Sequence, residues 1–90
     1  MNIERIKLFE KAIAAIQMLS KQYPMIEQFR SVKNQLAYLI DIESGRKTDC
    51  ERLKDINIGL ITVREIEDRN MDIANLMYEV TSEVEKMKTV

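Results

Sequence analysis

Apolar residues recur at every third or fourth position along almost the whole chain, and this spacing restricts its fold more than any other feature. The first such run consists of Ile3, Ile6, Phe9, Ile13, Ile16 and Leu19. This spacing places side chains on one face of an α-helix, so it predicts a first helix over residues 3–22. With only two glycines and one proline in 90 residues, few positions break such a pattern. The chain is therefore predicted to be an all-α protein.

Three short segments interrupt the periodicity and divide the chain into four predicted helices. Tyr23-Pro24 ends the first helix, because proline lacks an amide hydrogen, and Pro24 is then expected in the first turn of the second helix. Ser44-Gly45 ends the second helix, since glycine readily adopts the left-handed conformation. Thr48-Asp49-Cys50-Glu51 fits a capping box and predicts the start of a third helix. Four consecutive polar residues, 67–70, then predict either a kink or a break before the fourth helix, with Asp68 or Asn70 as the N-cap of that helix.

The third predicted helix is apolar over most of its circumference. Leu53, Ile56, Leu60 and Val63 form its main stripe, and Ile58, Ile61 and Ile66 form a second apolar side. Such a helix is usually buried against more than one neighbour, so we expect it to be central. Gly59 costs about 1 kcal/mol of helix propensity relative to alanine, which a close helix crossing at this position would explain. Residues 1–90 are thus predicted to form one antiparallel bundle of four helices, built as two helical hairpins.

Two further sets of residues are assigned to the interior of this bundle. Five methionines fall mostly on the apolar faces and are interpreted as core-filling residues, with an adaptable groove for a partner as the alternative: Met18, Met25, Met71, Met77 and Met87. Gln35 and Tyr38 are interpreted as polar links between helices, buried but hydrogen-bonded.

The residue types that most enzymes need are missing. The chain has no histidine and only one cysteine, which excludes the usual triads, di-iron motifs and zinc sites, and its two glycines are too far apart for a phosphate-binding loop. No catalytic residue, cofactor or metal ion is therefore predicted. A mutase-like helical enzyme would need converging basic side chains, and Arg30, Lys33, Arg64 and Arg69 are not spaced to converge. No apolar run reaches the ~20 residues that span a bilayer and no signal peptide is recognisable, so a cytoplasmic protein without a membrane partner is expected.

Charge is unevenly distributed, although the net charge is only −1. Residues 1–33 carry six basic and three acidic side chains, whereas residues 65–85 carry seven acidic side chains and one basic. This excess of acidic side chains disfavours nucleic acid as a partner and favours a basic protein surface. The candidate protein-binding residues lie at the start of this acidic stretch, in residues 64–72, which we call the acidic segment: Arg64, Glu65, Glu67, Asp68 and Asp72. Two other interpretations of its carboxylates are a solvated helix face and a pair for acid–base catalysis.

Four short sequence pieces occur in an order and spacing that resembles a known family. They are Tyr23-Pro24-x-x-Glu27, Ser31-x-x-x-Gln35-Leu36-x-Tyr38, Asp49-x-x-x-Leu53 and Gly59-x-Ile61-x-Val63-Arg64-Glu65, with Glu67 and Asp68 after the last. The ordered set resembles the small all-helical immunity proteins of bacterial type VI secretion that are paired with NAD(P)-degrading effectors. The resemblance implies a protein that binds the toxin domain of a cognate effector and blocks its dinucleotide pocket without turnover. It leaves the reaction of the toxin open between NAD(P) hydrolysis, ADP-ribosyl transfer and a related nucleotide activity.

Two hypotheses for function follow. In the first, the acidic segment of an immunity protein meets a basic, nucleotide-binding cleft of the toxin. In the second, the chain is a structural or regulatory module that forms a homodimer through the extra apolar side of the third helix, burying Ile58 and Ile61.

Overall fold

The computed structural model describes residues 2–88, which form four helices. The helices are α1 (Ile3–Gln22), α2 (Gln28–Glu43), α3 (Ile58–Ile61) with its π-helical continuation Thr62–Ile66, and α4 (Met71–Lys88). A 3-10 turn, Glu51–Asp55, precedes α3, and no strand forms within the described residues. Because α1 packs against α2 and α4, and α3 packs against α4, the predicted all-α bundle of two hairpins is confirmed.

The core lies between the helices and is built largely from their predicted apolar faces. In α1 and α2 the fully or almost fully buried side chains follow helical spacing: Phe9, Ala12, Ile16, Leu19, Phe29, Val32, Leu36 and Leu39. The contribution of α4 is Ile73, Ala74, Met77, Val80 and Val84. The first helix has its predicted bounds, and its N-terminus is capped by Asn2, whose Oδ1 accepts the Arg5 N–H at 2.9 Å.

The turn between α1 and α2 is longer than the sequence predicts. α1 is closed by the N–H of Tyr23, which donates to the Leu19 carbonyl at 2.8 Å. α2 begins only at Gln28, so the expectation that Pro24 lies in its first turn is wrong. The chain must reverse direction between antiparallel helices. It uses the residues after Tyr23 to do so, with a hydrogen bond of 3.1 Å from the N–H of Ile26 to the Tyr23 carbonyl.

The connection between the two hairpins also departs from its sequence motif. Gly45, at φ +83°, follows the end of α2 in the left-handed conformation expected of it. The predicted capping box is wrong, because no helix starts at Thr48. The side chain of Asp49 accepts the Glu51 N–H at 3.0 Å instead, and a 3-10 turn follows.

Two side chains of α2 hold this connection in place. The hydroxyl of Tyr38 donates to the backbone carbonyl of Asp49 at 2.8 Å. The amide of Gln35 pairs twice with Asn57, donating to its Oδ1 at 2.6 Å and accepting its backbone N–H at 2.9 Å. Both side chains are hydrogen-bonded as predicted, and Tyr38 is buried, but Gln35 is only partly buried and both join α2 to the connection rather than to another helix. These links fix both ends of residues 49–57 beside α2, which prevents the continuous third helix that the capping box predicts.

The side of α3 that faces the core is the second apolar side, Ile58, Ile61 and Ile66, rather than the main stripe. Ile58 and Ile66 are fully buried and Ile61 is 7% exposed, whereas Leu60 and Val63 are 50% and 55% exposed. α3 therefore packs against two neighbours, α2 and α4, as expected, but its other side faces solvent, so the expectation that it is buried over most of its circumference is wrong. The homodimer that would bury Ile58 and Ile61 loses its expected contacts, because both residues lie in the core of one chain.

Gly59 marks the close crossing of α3 and α4 that its position predicts. A Cβ atom at Gly59 would lie 3.3 Å from Oγ1 of Thr81 on α4. Any side chain at residue 59 would require Thr81 to shift by a few tenths of an ångström, so this crossing helps to fix which side of α3 faces the core.

The chain both kinks and breaks after α3: a π turn is followed by a non-helical turn, and then a new helix begins. The Glu67 N–H donates to the Thr62 carbonyl at 3.0 Å, a bond across five residues that closes a π turn. A turn over residues 67–70 follows, and α4 begins anew with the N–H of Ile73 donating to Oδ1 of Asn70 at 3.0 Å. Asn70 is therefore the cap, as one of the two sequence alternatives had it.

The methionines divide between core and surface. Met77 is fully buried and Met87 packs against the core, as predicted. Met18, Met25 and Met71 are 49%, 74% and 51% exposed, so their interpretation as core residues is wrong. Met25 lies in the turn between α1 and α2, and Met71 is the first residue of α4, positions at which helical periodicity does not decide burial.

An arginine at each end of the bundle makes contacts between different helices or turns. At one end, which we call the Arg5 end, the guanidinium of Arg5 on α1 pairs with Glu43 of α2 at 2.6 Å and with Glu83 of α4 at 2.9 Å. At the other end, which we call the Arg69 end, the guanidinium of Arg69 lies 5.1 Å from the ring centroid of Tyr23, a cation–π contact. The start of α4 is thereby held near the turn that joins α1 to α2.

Candidate protein-binding surface

The five candidate residues lie in one continuous stretch at the Arg69 end. Arg64 and Glu65 belong to the π turn, Glu67 and Asp68 come directly after it, and Asp72 is the second residue of α4. This stretch, residues 64–72, is the acidic segment.

The π turn forms here because the spacing of the buried residues demands it. Ile61 and Ile66 are five positions apart, and both are buried. A regular α-helix would place them about 140° apart around its axis, so only one could face the core. The wider π turn brings positions five apart close to alignment, and the buried hydroxyl of Thr62 is satisfied by donating to the Ile58 carbonyl at 2.8 Å.

Two of the five side chains are already held by contacts within the chain. Oε1 of Glu65 lies 3.5 Å from Nη1 of Arg69, which also donates to the Glu65 carbonyl at 2.9 Å. Glu67 accepts a short hydrogen bond from the hydroxyl of Tyr78 on α4. This bond raises the pKa of Tyr78 to about 12, because it stabilises the protonated phenol and the carboxylate repels a phenolate. Glu65 and Glu67 therefore stabilise the conformation of the acidic segment through contacts within the chain.

The other three side chains are directed to solvent. Arg64, Asp68 and Asp72 are exposed, and none of them forms an ion pair with another of residues 2–88. Charges that are not compensated locally extend their field into solvent, where they attract an oppositely charged surface. The structure thus separates the five predicted residues into a supporting pair and three free charges.

A groove of about 790 Å³ runs between the outer face of α2 and the connection that follows it. Its charged lining residues are balanced in sign: Glu27, Arg30, Asp41, Lys47, Arg52 and Asp55. The ring of Tyr38 also lines this groove, with the cationic groups of Lys47 and Arg52 at 5.9 and 5.8 Å from its centroid. A balanced lining does not select a ligand of one charge, and the covered ring is not free to stack on one.

A smaller cleft of about 390 Å³ lies between α1 and α2. Its three charged lining residues, Lys21, Arg30 and Lys33, are all basic. Arg64 and Arg69 lie instead in the π turn and the turn after it, outside this cleft. The four basic residues considered for a mutase-like site are therefore not brought together.

A protein-family model for Tsi6 matches residues 4–86, which include nearly all of α1 and α4 and the whole acidic segment. The chain belongs to the Tsi6 family. Tsi6 is an immunity-protein family of type VI secretion, so the family suggested by the four sequence pieces is confirmed at that level. No curated protein and no solved structure matches this member of the Tsi6 family.

Two other findings describe this member of the Tsi6 family. Within the described part of the chain, no helix has both the length and the low charge that crossing a bilayer requires. The sequence predicts a turn at Tyr23-Pro24 but not that this turn lies beside the acidic segment, where Arg69 contacts Tyr23. A contact between residues so distant in sequence has no periodicity or motif that would have indicated it.

Proposed function

We propose that this chain is an immunity protein that binds the toxin domain of a cognate type VI effector and covers the cleft in which that toxin binds NAD(P). The observation that carries the immunity function is the match of the Tsi6 family over residues 4–86, whereas the choice of an NAD(P)-degrading toxin rests on the resemblance of the four sequence pieces. The protein acts by occupying a surface, one copy for each toxin, and it turns over no substrate. Its place is the cytoplasm of the toxin-producing cell and of its kin, where the toxin would otherwise act.

The free charges of the acidic segment support this choice of partner surface. A cleft that binds a dinucleotide presents donors and cations to phosphate groups, and the exposed carboxylates of Asp68 and Asp72 offer it a similar charge. Attraction between the two surfaces also accelerates their encounter. Arg64 lies beside these carboxylates and supplies one opposite charge, which favours a single orientation of the toxin.

The supporting pair contributes by fixing the segment before it binds. Glu65 holds Arg69, and Glu67 accepts the Tyr78 hydroxyl of α4. Because these bonds exist in the free chain, less conformational entropy is lost when the toxin docks.

The first experiment tests the function itself. The toxin domain encoded beside this gene is produced in cells with and without this chain, and growth and cellular NAD(P) are measured. We expect the toxin alone to stop growth and deplete NAD(P), and this chain to prevent both. A toxin that acts unhindered in the presence of the folded chain would overturn the proposal.

The second experiment tests the surface. The double charge reversal D68K/D72K changes two free carboxylates and leaves Glu65 and Glu67 in place. We expect it to weaken toxin binding by about 100-fold, since each lost charge pair is worth about tenfold or more. The matched control is E10K/E79K, which makes the same change in net charge at two exposed carboxylates outside the acidic segment.

The control variant should bind within about twofold of the wild type, because most substitutions outside an interface centre have little effect. Undiminished binding by D68K/D72K would place the interface elsewhere. The basic cleft between α1 and α2 would then be tested by R30E/K33E.

A further inference from the structure

We infer that the docking surface extends from the acidic segment onto the turn between α1 and α2, with Met25 and Met71 as the apolar contacts at its centre. The inference rests on the proposed function, since the partner is the same toxin domain. It adds a second chain segment to the proposed surface, and it adds apolar contacts to a surface that so far consists of charged side chains.

The contact between Arg69 and Tyr23 brings the two segments to one end of the bundle. The Arg69 guanidinium lies 5.1 Å from the centroid of the Tyr23 ring. Met25 follows Tyr23 by two residues in the turn, and Met71 follows Arg69 by two residues at the start of α4. Each methionine therefore lies two residues along the chain from one partner of this contact, on a different segment.

Both methionines are exposed to a degree that the fold does not require. Met25 is 74% exposed and Met71 is 51% exposed, whereas Met77 on α4 is fully buried. Interface centres are enriched in methionine and depleted in charged residues, and their rims are polar. The unbranched side chain of methionine also adapts to an irregular apolar surface, which suits a protein matched to one particular toxin.

The neighbouring charges identify the occupant as a basic protein surface with an apolar patch. Asp68 and Asp72 lie on either side of Met71 in sequence, and both are exposed. They would repel nucleic acid. They would also repel a second copy of this chain docked through the same surface, because a two-fold interface places identical patches against each other.

The test is alanine truncation of the two methionines, singly and together, with the toxin domain of the previous experiments as the probe. Each single variant is expected to raise the dissociation constant by about tenfold, and M25A/M71A by about 100-fold, because truncating a central interface residue costs roughly one factor of ten. The matched control is I3A. Ile3 is also an exposed apolar residue, 61% exposed, but it lies at the far end of α1, about 28 Å away along the helix.

A second measurement needs no substitution. Peroxide oxidises exposed methionines, so Met25 and Met71 should be modified rapidly in the free chain and be protected in the complex with the toxin. Buried Met77 serves as the internal reference in both states.

The outcomes separate this inference from the proposed function. If the wild-type chain does not bind the toxin, the proposed function fails and the inference fails with it. If the wild type binds, D68K/D72K does not, and M25A/M71A binds within twofold of the wild type, only the inference is overturned. It is overturned equally if M25A/M71A dissociates a homodimer of the free chain without weakening its binding to the toxin.

Discussion

Replacement of Arg5 by methionine is expected to destabilise the chain by about 2–3 kcal/mol. Arg5 donates to Glu43 at 2.6 Å and to Glu83 at 2.9 Å, and the three side chains are only 17%, 15% and 22% exposed. Hydrogen bonds to charged groups contribute about 1.5–3 kcal/mol each, so their simple sum would be about twice the expected loss. We take the lower value because some water still reaches both carboxylates and because Glu83 keeps Lys86 at 2.8 Å.

The effect should depend on pH in a defined direction. Hydrogen bonds from Lys86 and then Arg5 hold the pKa of Glu83 below its usual 4.5. A carboxyl with a lowered pKa in the folded state contributes stability that is present above pH 4.5 and is lost as the pH falls through the folded value. R5M lacks the part of this stabilisation that comes from the hydrogen bond between Arg5 and Glu83. The difference in stability between wild type and R5M should therefore shrink between pH 7 and pH 3.

Urea unfolding followed by far-ultraviolet circular dichroism measures both effects. The matched control is Arg46→Met, since Arg46 is 69% exposed and lies 3.6 Å from its partner Asp41. An exposed pair of this kind contributes at most about 1 kcal/mol, and we expect R46M to lie within about 0.5 kcal/mol of wild type. A loss in R5M no larger than that in R46M, or one that stays constant down to pH 3, would refute the reasoning.

Three further outcomes are expected. Gly59→Val should cost about 1–3 kcal/mol in urea unfolding, because even a Cβ atom there lies only 3.3 Å from Oγ1 of Thr81, and T81A should restore part of the loss; equal stability of G59V and wild type would contradict the close crossing. Glu67→Gln should lower the Tyr78 pKa from about 12 toward its ordinary 10.0, visible as an earlier phenolate absorbance change on titration with base; an unmoved midpoint would mean that the carboxylate is not its cause. Gly45→Ala should cost about 1–2 kcal/mol, since φ +83° is strained for a residue with a Cβ atom, and an unaltered thermal midpoint would argue against that conformation.

The helices that pack along their whole length could be predicted from the sequence. In α1 the residue spacing gives most of the buried face and Tyr23-Pro24 gives the end of the helix, although Ile3 of the apolar face is exposed. Gly45 is equally local in origin, since few residues other than glycine adopt its φ of +83° without strain.

The connection before α3 could not be predicted, because contacts distant in sequence decide it. Thr48-Asp49-Cys50-Glu51 has the local features of a helix start, but Tyr38 and Gln35 fix the neighbouring residues beside α2. The face of α3 is another such case. The sequence offers two apolar sides, and the close approach of Gly59 to Thr81 of α4 helps to select the one that is buried.

The position of the candidate surface could be predicted from charge, but which of its side chains are free could not. Charge is visible in sequence, so the acidic segment stands out. Which of its carboxylates are free depends on partners elsewhere, such as Tyr78 for Glu67. The exposure of Met25 depends on where the chain reverses direction, and periodicity does not contain that information.

The placement of the two arginines at opposite ends of the bundle has a consequence for how such a protein diversifies. The longest dimension of the described chain is 34 Å, and stability effects at sites more than about 7–10 Å apart are usually additive. Substitutions beside Arg69 therefore leave the contribution of Arg5 to folding unchanged. Exposed turn residues at that end can be replaced one after another, in any order, without loss of the contribution that Arg5 makes to folding. A lineage that must follow a changing partner then has many viable mutational routes through sequence space.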